Sequence, residues 1–240
     1  FDTANIRDTI AFYETRDRWQ EILNYRKLTA ETGHVDNLFY GDSITEAWPL
    51  HEHFPNHSLL NRGIGGDNVC GLYLRLAEDV FAYTPEKVFI LIGINGIELP
   101  KQLILDRTRA VAELIRERGS RVYLGSILPL REPDGWDRFR YQDKIVEINA
   151  EQKAWSERNL DGFIDYHSLL KDETGQLAAE FARPDGTHVM PGAYRVMADA
   201  GMAIVDMETA VAITKGPKGK AGGTGNNEKE GKDASCFYQP

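Results

Sequence analysis

One pattern recurs along this chain and restricts its fold more than any other. A short apolar run, often closed by a glycine turn, gives way to a longer amphipathic stretch. The apolar runs are Val35 to Tyr40, Ser58 to Asn61, Val88 to Ile92, Arg121 to Ile127 and Gly162 to Tyr166. Helical spacing follows over about 68–81, 100–118 (stopped by Gly119), 141–158 and 192–212. Spaced apolar residues also predict an amphipathic helix over Asp2 to Leu28, through Ile6, Ile10, Phe12, Trp19, Ile22 and Leu23. Strands that alternate with helices of this length form a parallel sheet covered on both faces. With right-handed crossovers, the expected fold is a three-layer α/β/α sandwich around a mainly parallel sheet of about five strands. Ligands bind such sheets at the carboxyl ends of the strands. Three turns are predicted to meet there: Gly41–Ser43, Gly63–Gly66 and Gly93–Asn95.

The chain has 240 residues, 42% of them hydrophobic. That suffices for a full core without disulfides or a structural metal. We expect a single domain over 1–214, with a helical extension over about 1–30, followed by a flexible tail over 215–240 rich in Gly and Lys. The formal net charge of −9 argues against a nucleic-acid partner. No apolar run approaches the roughly 20 residues of a membrane span. Cys70 and Cys236 are not expected to pair. The net charge suits a soluble chain; no signal peptide is visible, but one could have been removed, so the compartment stays open between cytoplasmic and secreted. Whether it forms a homo-oligomer stays open.

Four places carry candidate chemistry. Ser43, at a strand-to-helix turn, has an exposed hydroxyl and an N–H near a helix N-terminus, which suits a nucleophile; helix capping by Asp42 or Ser43 is the plainer alternative. The pattern Gly41-Asp42-Ser43-Ile44-Thr45 is not the G-x-S-x-G elbow. The turn Gly63-Ile64-Gly65-Gly66-Asp67 can present an N–H to an anion, but it fits neither the dinucleotide nor the phosphate-loop pattern. Asn95 can donate its amide at the end of a buried strand. In Asp185-Gly186-Thr187-His188 a carboxylate can hold the imidazole in one tautomer and leave the other nitrogen as a base. Together these make a chain-ordered Ser, Asp, His set with two further oxyanion donors.

That set resembles the SGNH, or GDSL, family of serine esterases and lipases, over about residues 35 to 200. Its four blocks look like Gly41-Asp42-Ser43, Gly66, Asn95 and Asp185 with His188. The Gly-Ile-Gly-Gly-Asp turn is similar to that of platelet-activating-factor acetylhydrolase subunits and related bacterial esterases. The resemblance implies a flavodoxin-like hydrolase fold and acyl transfer to water. Ser43, Asp185 and His188 would be catalytic. Ser43, Gly66 and Asn95 would form the oxyanion hole, with no metal or organic cofactor. The family commonly has Asp after the third-block asparagine; Gly96 stands here, and we expect an altered loop but a retained donor.

Asp42, Trp48, Arg131 and Trp136 are the candidates for substrate contact. His51, His53 and His57 lie close in sequence, but no fourth ligand has metal-site spacing, so a polar loop is expected. No long apolar lid is evident. The expected substrate is therefore a short acyl ester, acetyl foremost, of a carbohydrate or other polar alcohol. The alternatives are a lysophospholipase or thioesterase, and a binding protein of the same fold with impaired catalysis.

Overall fold

Side chains that alternate along each strand point to opposite faces, and here both faces are buried. The computed structural model describes residues 3–15, 20, 22–25, 27, 32–133 and 135–207. Five parallel strands form one sheet: β1 (Asn37–Gly41), β2 (Leu59–Gly63), β3 (Lys87–Leu91), β4 (Arg121–Gly125) and β5 (Gly162–Ile164), in the order β2-β1-β3-β4-β5. One face sets Phe39, Phe89 and Tyr123 against Trp48, Tyr166 and a C-terminal helix, α8 (Pro191–Val205). The other sets Leu38, Tyr40, Val88, Ile90, Val122 and Leu124 against α4 (Val69–Asp79) and α5 (Lys101–Glu117). The remaining helices are α1 (Thr3–Thr15), α2 (Ser43–Glu46), α3 (Leu50–His53), α6 (Gln142–Asn159) and α7 (Tyr166–Leu170). The fold is the α/β/α sandwich expected from the sequence.

The strand order reverses between β1 and β3, which places a crevice at their carboxyl ends. A buried network underpins it. Arg75 on α4 gives Nη2 to the Gly41 carbonyl (3.0 Å) and Nη1 to the Arg62 carbonyl (2.9 Å), tying the ends of β1 and β2. The same guanidinium meets Asp67 at 2.9 Å and Asp79 at 2.6 Å. Tyr13 of α1 donates its hydroxyl to the second oxygen of Asp67 (2.7 Å) and so docks the N-terminal helix on this turn. Burial pushes the Asp67 carboxyl above its ordinary range, and Arg75 opposes that rise.

Several boundaries differ from the sequence reading. The fourth strand ends at Gly125, not Ile127, because Asn149 on α6 takes both backbone groups of Ile127 (2.9 Å each). The fifth ends at Ile164, because Asp165 caps α7 by accepting from the Ser168 N–H. At the N-terminus, α1 covers Thr3–Thr15, and the described residues Gln20, 22–25 and Lys27 of the expected segment are also helical; residues 16–19, Trp19 among them, lie outside the described residues. The last helix ends at Val205, where Lys87 captures the carbonyls of Val205 and Met207. The expected tail, 215–240, also lies outside the described residues, as does Cys236. Cys70 is buried with a free thiol. Among the described residues, no helix is long and apolar enough to cross a membrane.

Candidate active site

Ser43 leaves β1 at the first position of α2, so its N–H has no acceptor within the helix. Asp42 caps that helix by accepting the Ile44 N–H (3.0 Å). The turn lies against β2 with no spare room: a Cβ on Gly63 would stand 2.1 Å from the Glu46 nitrogen. Only glycine permits so close an approach of two backbones. Asn61 adds a further tie, giving its amide to the Thr45 carbonyl (2.7 Å), while Tyr194 of α8 holds the Ile44 carbonyl (2.9 Å).

His188 precedes α8 in sequence and meets the serine across the sheet end. Its Nε2 lies 2.9 Å from Ser43 Oγ, and its Nδ1 lies 2.9 Å from Asp185 Oδ2. The other carboxylate oxygen accepts the N–H groups of Thr187 (2.9 Å) and His188 (2.8 Å), which folds the segment into a tight turn. Burial pulls the Asp185 carboxyl upward, but those N–H groups and the imidazole outweigh it and hold it below its usual range. An ionised Asp185 places the imidazole proton on Nδ1 and leaves Nε2 to accept from the serine hydroxyl.

Ser43, His188, Gly66 and Asn95 line one cleft of about 600 Å³. Asn95 gives one amide hydrogen to the Asp67 carbonyl (2.8 Å) and accepts from Arg138 Nη2 at Oδ1 (3.0 Å). Gly96 has φ +85°, a left-handed turn that favours glycine, and the chain runs on along the cleft through Glu98 and Leu99. Asn95 itself also lines the cleft.

The four substrate-contact candidates separate. Trp136 is exposed, lines the cleft and stands edge-on to the His188 ring at 5.4 Å. Trp48 does not reach the cleft. It is 4% exposed and packs against Phe39, Phe54, Tyr166 and Tyr194, because the α2 turn carries it beneath the sheet end. Arg131 is also a correction: it pairs with Asp172 (2.9 Å) and the Leu177 carbonyl (2.8 Å), away from the cleft lining. Asp42 is 1% exposed and serves as a helix cap, with burial pushing its carboxyl up to about 7.

Some cleft residues escaped the sequence reading. Asp8, Thr9 and Phe12 of α1 form one wall, and the Phe12 ring stands where a Cβ on Gly66 would fall (2.7 Å). Arg138 is another, two residues beyond Trp136. The histidine group His51, His53 and His57 holds no metal arrangement among the described residues: the first two lie on α3, and His57 meets Asp206 at 2.8 Å.

A serine, a histidine and an aspartate in hydrogen-bond succession at the carboxyl edge of a parallel sheet are an arrangement that several hydrolase classes share. Comparison with known proteins is specific: residues 39–196 match the GDSL-like lipase/acylhydrolase family, and the chain belongs to it. An arylesterase of Vibrio mimicus is 26% identical over 168 residues, 67% of this chain and 78% of that protein. The family match and this arylesterase relative make the chain a carboxylic ester hydrolase. A solved structure from Streptococcus pneumonia, provisionally described as a platelet activating factor, has a TM-score of 0.72 at 26% identity and covers 85% of this chain and all of its own. An acetylxylan esterase from Geobacillus stearothermophilus shares the fold with a TM-score of 0.57 at 21% identity, covering 74% of this chain and 97% of its own.

Proposed function

We propose that this esterase hydrolyses short acyl esters, acetyl esters foremost, on a carbohydrate or another polar alcohol, through an acyl-enzyme on Ser43. The observation that carries the mechanism is the unbroken relay from Ser43 Oγ to His188 Nε2 and from His188 Nδ1 to Asp185, each link 2.9 Å. His188 takes the serine proton as Oγ attacks the ester carbonyl, and Asp185 stabilises the charged imidazole. The oxyanion is received by the N–H groups of Ser43 and Gly66 and by the second amide hydrogen of Asn95. His188 then protonates the departing alcohol. In the second half it activates water, which releases the acid and restores Ser43.

Two features support a short acyl group and a polar alcohol. The apolar cavity beside Asp42, lined by Ile44, Leu91, Ile94 and Ile127 among others, offers about 10 Å³. That is roughly the space of one water and far too little for a fatty chain. The open cleft in front of the serine mixes Asp8, Glu46, Glu98 and Arg138 with the faces of Phe12 and Trp136. Carboxylates and a guanidinium hydrogen-bond hydroxyl groups, and aromatic rings pack on the apolar faces of sugars. The name of the Geobacillus stearothermophilus relative, an acetylxylan esterase, fits the same substrate class.

Side-by-side hydrolysis of chromogenic acetyl and octanoyl esters tests the reading, with Ser43→Ala as the control. Acetyl turnover that vanishes in the variant is expected. A preference for octanoyl would move the substrate to lipids or thioesters. Asn95→Ala is expected to lower kcat by roughly 10²–10³, the usual cost of one oxyanion donor; near wild-type turnover would remove Asn95 from that role.

A further inference from the structure

The side-chain amide of Asn95 can face the cleft with its nitrogen or, after a half-turn, with its oxygen. Only the first orientation helps an oxyanion; the second sets a carbonyl dipole against it. Two neighbours decide between them. The Asp67 carbonyl, 2.8 Å from Nδ2, can only accept, and the Arg138 guanidinium, 3.0 Å from Oδ1, can only donate. A half-turn would set oxygen against oxygen and nitrogen against nitrogen at once. Arg138 is itself placed by a loop stitched to the acid–base segment. Arg131 N–H meets the Gly186 carbonyl at 2.8 Å, and Gly135 N–H meets the Asp185 carbonyl at 2.9 Å. Within the same stretch, the Arg138 guanidinium lies over the Trp136 ring (5.3 Å), and that ring abuts His188.

We propose that Arg138 is a positioning residue for the reaction: its hydrogen bond to Oδ1 locks the Asn95 amide with nitrogen toward the oxyanion, and its loop couples that amide to the His188–Asp185 segment. The inference rests on the reading of Asn95 as an oxyanion donor. Arg138 acts through Asn95, so it affects the transition state more than ground-state binding.

The test is a cycle of wild type, Arg138→Ala, Asn95→Ala and the double variant, with kcat and KM measured on an acetyl ester and thermal melts confirming the fold. Arg138→Ala is expected to lower kcat by about tenfold or more, with KM changed by less than about threefold. The double variant is expected to be no slower than Asn95→Ala alone, since an amide that is absent needs no positioning. Added guanidinium ion, below denaturing concentrations, is expected to restore part of the Arg138→Ala rate and none of the Asn95→Ala rate. Arg138→Met keeps much of the side chain's length without any donor and serves if the alanine variant fails to fold; a loss of about tenfold or more is again expected. Multiplying losses in the double variant, a raised KM at unchanged kcat, or full kcat in Arg138→Met would each overturn the positioning role and leave the esterase reading intact. Absence of Ser43-dependent turnover in the wild type would overturn both.

Discussion

The floor and the rim of the cleft are built in different ways. The floor is made of turns at the carboxyl ends of three adjacent strands, and each turn contributes one group: Ser43 after β1, Gly66 after β2 and Asn95 after β3. Backbone contacts and the buried Arg75–Asp67 pair set their spacing. The rim comes from α1 and from the loop between β4 and α6, whose side chains arrive from far along the chain; Tyr13 reaches Asp67 across 54 positions and Arg138 reaches Asn95 across 43. The floor therefore follows from topology, and the rim from particular side chains. Damage to the floor should abolish the reaction or the fold, whereas damage to the rim's walls, such as Phe12, should change which ester is preferred; Arg138 is the rim residue that acts on the floor, through Asn95, and so should change the rate.

The largest effect expected is on the floor itself. Ser43→Ala should lower kcat on acetyl esters by about 10⁶, the scale seen when a nucleophile of this type is lost. Steady-state assays and labelling with a serine-directed fluorophosphonate check it, and residual labelling would point to another nucleophile. Next comes the support beneath. Arg75→Met leaves Asp67 and Asp79 buried without their cation and should cost about 3–5 kcal/mol of stability in a urea melt. An unchanged midpoint would mean that the backbone alone sets the turns.

Rim substitutions should be milder. Phe12→Ala opens the wall above Gly66 and should shift the ratio of kcat/KM between bulky-alcohol and small-alcohol acetyl esters by roughly two- to tenfold, a pocket-sized discrimination. A uniform loss on both esters would place α1 with the floor.

A further effect concerns pH. Asp42 titrates near 7 in the folded chain, against an ordinary carboxyl value of 3.8 when unfolded. The folded state then holds the proton more tightly, so this group's contribution to stability declines as pH rises from about 4 to 7. Asp42→Asn can still cap α2 and should flatten that slope in melts between these pH values. A slope identical to wild type would assign it to other buried carboxyls, such as Asp67 and Asp79, which burial also raises.

The same division explains what could be read from the sequence. Strand ends converge by topology, so Ser43, Gly66 and Asn95 were predictable as neighbours, and a three-residue spacing suffices to join Asp185 to His188. Trp48 misled because five residues of separation from Ser43 suggested proximity to the cleft, whereas a single helical turn sends the indole into the core. Arg131 misled in the opposite way: its partner, Asp172, lies 41 positions on and carries no local signature. Phe12 reads only as one of the spaced apolar residues of the N-terminal helix, and Arg138 carries no motif signal; their places on the cleft depend on how α1 and a loop settle on the finished sheet. Strand ends at Gly125 and Ile164 were likewise set by side chains of Asn149 and Asp165, which compete with the ladder for backbone groups.

The contact at Gly63 has a wider consequence. Where two main chains touch, as β2 and α2 do there, the fit depends on what every residue shares and on the absence of one side chain. Apart from the ties made by Asn61, Arg75 and Tyr194, neighbouring side chains can then change without moving the serine. Relatives can diverge until about a quarter of their residues agree, as with the Streptococcus pneumonia protein at 26% identity, and still superimpose. A site whose position is encoded in backbone contact can keep its geometry through long divergence, while the walls around it are free to acquire new tastes.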